Sequence, residues 1–191
     1  MRKSLLIGAF IALAALPASA QNNAVRIVGT VDKLNGDSIV VKNEDGGQME
    51  TLKLSPQLNI FQNKPAKLSD IKANDFVASA AVKGADGKLH STELRIFPEA
   101  MRGVGEGQRP MNDARNQTMT NATVTGTVMQ GGSNDIKVKL PNGESELVLD
   151  PGVPVTAILP ADKGMVKAGT KVQINGIKTA DGQVAQRIII Q

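Results

Sequence analysis

Residues 25–32 read VRIVGTVD, and a later stretch, residues 122–128, reads ATVTGTV. In the first stretch Val25, Ile27 and Val31 alternate with other residues, and the second stretch alternates in the same way. A period of two places successive side chains on opposite faces of a β-strand. Both stretches therefore predict strands with one buried face, and their similarity indicates an internal repeat.

The repeat extends over most of the chain. Residues 24–97 align with residues 121–191 at an offset of 97 positions, which becomes 95 after a hairpin. The 97 offset aligns Val28-Gly29-Thr30-Val31 with Thr125-Gly126-Thr127-Val128, and the 95 offset aligns Leu52-Lys53-Leu54 with Leu147-Val148-Leu149. Each copy predicts five short strands, with a longer connection after the third and Gly-containing turns between the others.

Five short strands in about 70 residues suit a small closed barrel of the OB type, because closure leaves no strand edge exposed. We therefore predict an all-β protein with two tandem five-stranded OB-like barrels joined by a Gly-rich linker. Open meanders or a sandwich are the alternative architectures. The expected organisation is a signal peptide at 1–20, barrel units at 21–97 and 121–191, and a linker or functional loop at 98–120.

The N-terminus has the pattern of a cleaved export signal. Arg2 and Lys3 precede an apolar stretch from Leu5 to Leu16, and Ala18-Ser19-Ala20 forms a small-residue cleavage site. The apolar stretch is too short to span a bilayer. We expect cleavage after Ala20 and a periplasmic mature chain that is not inserted in a membrane; an uncleaved N-terminal anchor is the alternative.

The composition excludes several kinds of chemistry. The chain has no Cys, Trp or Tyr and a single His, so disulfides, thiol catalysis and Cys-based zinc sites are excluded. The formal net charge of +4 falls to +2 when Arg2 and Lys3 leave with the signal, which gives little attraction to nucleic acid. No spacing assembles a nucleophile with a base, so we expect a protein that is not an enzyme, has no cofactor and does not bind nucleic acid.

Residues 98–120 break the repeat and form the most individual part of the chain. Three glycines at every second position would let backbone N–H groups converge on an anion, and two flanking arginines would add charge-assisted hydrogen bonds. The candidate binding residues are Glu99, Arg102, Gly103, Gly105, Glu106, Gly107 and Arg109. A flexible linker is the alternative interpretation.

Methionine thioethers raise a metal hypothesis. Met101, Met111 and Met119, with His90, are candidate ligands for Cu(I), which thioether sulfur binds without deprotonation. Their spacing is irregular, and methionine also fills gaps in apolar cores.

The same segment carries a family resemblance. It runs Arg95-Ile96-Phe97-Pro98-Glu99-Ala100-Met101-Arg102-Gly103 and Gly105-Glu106-Gly107, followed by Met119-Thr120-Asn121-Ala122-Thr123-Val124. This pattern resembles a family of exported proteobacterial proteins of unknown function, with two small barrel-like units around the linker, and the resemblance covers nearly the whole mature chain. Some members carry a metal-transport label. The family often has His and an aromatic residue where this chain has Gln108 and Met111, which weakens a His-based metal site here.

These observations favour a non-catalytic periplasmic binding or interaction module. Its partner would be a periplasmic protein, an envelope polymer or a small anion. The alternatives are copper handling and, by analogy of fold, oligonucleotide or oligosaccharide binding through an OB-like face. Stacking platforms for bases or sugars are scarce, since Phe61, Phe76 and Phe97 are the only aromatic residues of the mature chain.

Overall fold

The computed structural model describes residues 23–112, 116–130 and 133–191, so the expected signal peptide lies outside the described residues. The strands are β1 (Ala24–Asn35), β2 (Ser38–Asn43), β3 (Met49–Ala66), β4 (Phe76–Lys83), β5 (Leu89–Phe97), β6 (Gly107–Asn112), β7 (Gln117–Gln130), β8 (Ser133–Leu140), β9 (Gly143–Leu149), β10 (Val155–Pro160), β11 (Lys171–Thr179) and β12 (Gly182–Ile190). Short 3-10 turns span Leu68–Asp70, Glu99–Met101 and Lys163–Met165. Within the described ranges, no helix has the length and apolarity needed to cross a membrane.

Five strands close into a barrel. β1, β2 and β3 form an antiparallel meander, β11 pairs with β1 and β12, and a parallel pairing of β12 with β3 completes the ring. Alternate residues point inward, among them Ile27 and Val31 from β1, and Ile174 from β11. The all-β prediction is confirmed, with a closed five-stranded barrel whose interior is filled by aliphatic side chains.

A second ring contains β4, β5, β7, β8 and β9. Antiparallel pairs join β5 to β4, β4 to β7, β7 to β8 and β8 to β9, and two parallel residue pairs between β5 and β9 complete the circuit. Val77, Leu94, Val124 and Leu147 are fully buried in its apolar core. We call this set of strands the second ring.

Each ring takes strands from both copies of the repeat. The barrel combines β1–β3 of the first copy with β11 and β12 of the second, and the second ring combines β4 and β5 with β7–β9. This connectivity differs from the expected tandem order, in which each contiguous copy closes on itself. The physical reason is the length of β3: its 18 residues extend beyond the barrel, so the next strand enters the other ring.

The two rings meet where β3 pairs with β10. Phe61 to Ala66 of β3 run antiparallel to β10, and Asn63 lies opposite Ile158. These two residues occupy the same position in their copies at the 95 offset, so an approximate twofold axis passes between them. β10 also pairs in parallel with β5, and it thereby joins the barrel to the second ring.

The first strands of the copies correspond in a different register from the sequence alignment. Val31 lies opposite Val41 and Val124 lies opposite Val138, each immediately before a bulge. Val31 therefore corresponds to Val124, and the 97 offset is wrong for this strand. The β7–β8 hairpin is longer than the β1–β2 hairpin by two residue pairs, so the true offset of this strand differs from 97 by four residues. A slip by an even number of residues keeps the same side chains facing inward, and the sequence pattern therefore could not reveal it.

Two glycines test this register. A Cβ on Gly29 would overlap the backbone carbonyl oxygen of Lys42 and lie 2.7 Å from Cγ1 of Val41, whereas a Cβ on Gly126 meets no described atom within 4 Å. We expect Gly29→Ala to lower the free energy of unfolding by about 1–3 kcal/mol through overpacking, and Gly126→Ala to change it by about 0.5 kcal/mol or less. Urea unfolding followed by circular dichroism measures both values. Equal losses would contradict the register.

The exchange of strands predicts that the two halves do not fold alone. Residues 21–112 lack the strands that complete the barrel, and residues 113–191 lack β4 and β5 of the second ring. We expect neither fragment to unfold cooperatively alone, and the mixed fragments to form a 1:1 complex that does. Size-exclusion chromatography and urea unfolding of separate and mixed fragments test this. Cooperative unfolding of isolated 113–191 would contradict the exchanged topology.

Candidate functional site

The described residues between the copies are packed against the rest of the protein. After the 3-10 turn at Glu99–Met101, strand β6 pairs with the first half of β7. The side chain of Met101 is buried among Phe61, Ile158 and Ile189, at the junction of the two rings. Residues 98–112 therefore form an ordered part of the structure rather than a free tether.

The two arginines of this segment have protein partners. Arg102 donates from Nε and Nη2 to the two carboxylate oxygens of Glu99, both at 2.7 Å, and from Nη2 to the backbone oxygen of Asn74 at 2.8 Å. The Arg102 hydrogen bonds lower the pKa of Glu99. Arg109 donates from Nη1 to the backbone oxygen of Gly105 at 2.7 Å. Both guanidinium groups thus hold the segment in shape.

The three glycines have the left-handed backbone that a series of tight turns requires. Gly103, Gly105 and Gly107 have φ values of 79°, 59° and 122°. Within these turns the N–H groups of Val104 and Glu106 donate to backbone oxygens at 3.2 Å. The glycines therefore shape the segment. The two arginines that were expected to bind an anion here donate instead to protein groups, Arg102 to Glu99 and Arg109 to the backbone of Gly105.

A groove of about 560 Å³ lies where this segment meets the second ring. Its polar lining comes from the β4–β5 hairpin, β6, the start of β7 and β9, and comprises Lys83, Lys88, Gln108, Asn116, Thr118, Ser145 and Glu146. The Gln108 amide donates to the Thr120 hydroxyl at 3.0 Å and to the Ser145 hydroxyl at 3.3 Å. Strand β6 is thereby fixed as one wall of the groove.

Charges within the groove are largely compensated. The Lys88 ammonium lies 2.8 Å from Glu146 Oε1 and 3.0 Å from Asp135 Oδ2, and these hydrogen bonds raise the pKa of Lys88. Asp135 is buried, and Lys88 lowers the pKa of its carboxyl group. Lys83 makes no side-chain hydrogen bond or ion pair with any residue that the structure describes. The groove therefore offers one uncommitted ammonium beside amide, hydroxyl and carboxylate groups.

His90 lies beside this groove and bridges two carboxylates. Its Nδ1 is 2.8 Å from Asp150 Oδ2, and its Nε2 is 3.2 Å from both oxygens of Asp86. The hydrogen bond to Asp150, followed by that to Asp86, raises the pKa of His90. The protonated imidazole can donate from both nitrogens, so it links the β4–β5 hairpin to the end of β9.

The candidate metal ligands have different surroundings. Met101 is buried in the apolar junction, Met111 is half-exposed on β6, and Met119 is partly buried on β7 opposite Arg109. Over the described ranges, no three His, Cys, Asp or Glu side chains form a group that could hold a metal ion. The copper hypothesis remains a prediction, and these surroundings add no support to it.

None of the candidate site residues chosen from the sequence is among the described residues that line the groove, although Gln108, Asn116 and Thr118 lie within the 98–120 segment. Lys88, Asp135 and Glu146 belong to the β4–β5 turn, β8 and β9, and no spacing along the chain brings them together.

Comparison of the chain with protein-family models, curated proteins and solved structures gives no match. The geometry and charges of the groove are therefore what indicate a function for this chain.

The ion pairs of His90 predict a pH dependence of stability. Because the folded state raises the pKa of this imidazole, its contribution is fully present below the ordinary histidine pKa of about 6.5 and is lost as the pH rises through the raised value. We expect the thermal midpoint to fall between pH 6 and pH 9, and to fall less in His90→Gln. This histidine is the only one in the sequence. The N-terminal amine also titrates in this pH range, but it is common to both proteins, so the difference between their pH profiles reports on His90. Parallel pH profiles of the two proteins would contradict the assignment.

Proposed function

We propose that the protein is a non-catalytic periplasmic binding module whose groove holds a segment of an envelope polymer. The observation that carries the proposal is the packing of the extra segment against the second ring. Gln108 on β6 and Thr118 on β7 become groove residues because β6 pairs with β7. A segment that interrupts the repeat thus supplies one wall of a polar groove.

The chemistry of the groove favours a ligand with both hydrogen-bond donors and acceptors. The Lys88 and Glu146 ion pair contributes little net charge, and Lys83 adds an available ammonium group. The Asn116 amide and the Ser145 hydroxyl add neutral polar groups to the lining. A glycopeptide with hydroxyl, amide and carboxylate groups is complementary to this lining, and such polymers occur in the compartment that the export signal predicts.

The environments of the titratable groups support a binding role over a catalytic one. Both ring nitrogens of His90 are engaged by carboxylates, Nδ1 by Asp150 and Nε2 by Asp86, so neither nitrogen is free to exchange a proton with a substrate. Glu99 is engaged by Arg102. The Ser79 and Ser91 hydroxyls, 2.9 Å apart, are buried and bonded to each other. The proposal therefore assigns none of these groups a catalytic role.

Titration with a soluble muropeptide tests the proposal. The probe is a disaccharide tetrapeptide added to isotopically labelled mature protein, with amide shifts followed by NMR. We expect saturable shifts at groove residues, and at least a tenfold loss of affinity in the double variant Lys83→Ala, Gln108→Ala, because two polar contacts of about 1 kcal/mol each are removed. Mass spectrometry after prolonged incubation should recover the muropeptide unchanged.

A matched control comes from the repeat itself. Lys178 occupies on β11 the position that Lys83 occupies on β4, since each lies at the hairpin end of its strand. Lys178→Ala should therefore bind the muropeptide as the unmodified protein does. Equal loss in the control variant, an absence of saturable shifts, or cleavage of the muropeptide would each contradict the proposal.

A further inference from the structure

A second pocket lies on the barrel, away from the groove. It has a volume of about 360 Å³ and is lined by residues of β1, β3, β11 and β12. Its polar side chains are Ser55, Gln57, Asn59, Asn175, Gln186 and Arg187. No carboxylate is among the described residues that line it, so Arg187 gives this part of the pocket a positive charge without a carboxylate beside it.

Arg187 has no partner among the residues that the structure describes. Its guanidinium makes no hydrogen bond or ion pair with any residue in the described part of the chain, and its Nε is buried without an acceptor. Burial lowers the pKa of this arginine, as expected for a cation that loses water and gains no acid. An arginine stays charged at neutral pH, so its desolvation is unfavourable unless an anion offsets it.

The strand register places further polar groups beside this guanidinium. Arg187 lies between Asn59 of β3 and Asn175 of β11, and Arg26 of β1 is opposite Asn175. Directly opposed residues of neighbouring strands project from the same face of the sheet. Two amides and two guanidinium groups therefore form one row across four strands. Arg26 donates to Gln173 at 3.0 Å, which leaves Arg187 as the uncommitted cation of this row.

The repeat shows that this fold does not require an arginine here. The bulged pairing of Asn175 with Arg187 has its counterpart in the pairing of Ala80 with Glu93. At the equivalent place in the second ring, the charge is thus reversed, and Glu93 accepts a hydrogen bond from Arg95. If the fold required a cation at this place, both copies would carry one. The first copy carries Glu93 instead, so the fold itself does not explain Arg187.

We propose that the Arg187 pocket binds an oxyanion, a carboxylate or a phosphate group. A guanidinium presents paired N–H donors that match two oxygens of such a group, and the neighbouring amides can donate to a third. This site is separate from the groove, and it does not depend on the muropeptide proposal.

Anion titrations at constant ionic strength test the site. Labelled mature protein receives sodium phosphate in one series and sodium acetate in another, with sodium chloride adjusted to hold ionic strength fixed. We expect saturable shifts at the amides of Asn59, Asn175 and Gln186, with Gln108 in the groove unaffected. Saturation with both anions indicates a general oxyanion site, and saturation with only one identifies phosphate or carboxylate as the ligand group. Shifts that grow linearly with both anions would overturn the proposal.

Variants separate a specific site from general attraction to positive charge. Arg187→Gln should weaken binding at least tenfold, and Arg187→Lys should weaken it at least threefold because the charge remains without the planar fork. Arg95→Gln, which removes one positive charge from the second ring, should bind as the unmodified protein does. Unchanged affinity in Arg187→Gln, or an equal loss in Arg95→Gln, would overturn the proposal. If Arg187→Gln is not folded by circular dichroism, the comparison of Arg187→Lys with Arg95→Gln decides in the same way.

Discussion

The antiparallel pairing of β3 with β10 is the constraint on which the rest of the structure depends. β3 pairs with the barrel strands β2 and β12 as far as Gln62 and with β10 from Phe61 to Ala66, so its course commits the following strands to the second ring. The same pairing, related by the approximate twofold axis, returns the second copy to the barrel. Phe61 and Ile189 from the barrel strands pack there with Ile158 of β10. Neither ring can close its hydrogen bonds until both copies are present, which makes the two rings one folding unit.

This junction also explains how the segment between the copies is held. Met101 is buried in the junction cluster and Val104 packs against it, while Asn121 of β7 donates to the Val104 backbone oxygen at 2.8 Å. The segment is therefore positioned by the fold before any ligand arrives. A preorganised wall reduces the conformational entropy that binding would otherwise cost, and this is the physical reason to place recognition at the groove that β6 borders.

Much of the strand content could be predicted from sequence, because burial on one face leaves a period of two in the chain. Val31, Val41 and Leu52 fill the barrel, and their counterparts Val124, Val138 and Leu147 fill the second ring. The partner of each strand could not be predicted, since the alternation is the same whichever copy supplies the neighbour. The groove could not be predicted for a related reason: contacts within it, such as that of Lys88 with Glu146, which are 58 positions apart, depend on the exchanged pairing.

The duplication itself indicates where function should be sought. Inward positions of the two copies stay apolar because close packing limits them, whereas outward positions carry no such restriction. At outward positions the copies diverge, and the place that Arg187 occupies on the barrel is taken on the second ring by Glu93, a residue of opposite charge. Because the rings share strands from both copies, a ligand bound to either ring stabilises the whole chain rather than one half. The proposed binding at the groove and at the Arg187 pocket would therefore act on a single folding equilibrium, even though the two sites differ in chemistry.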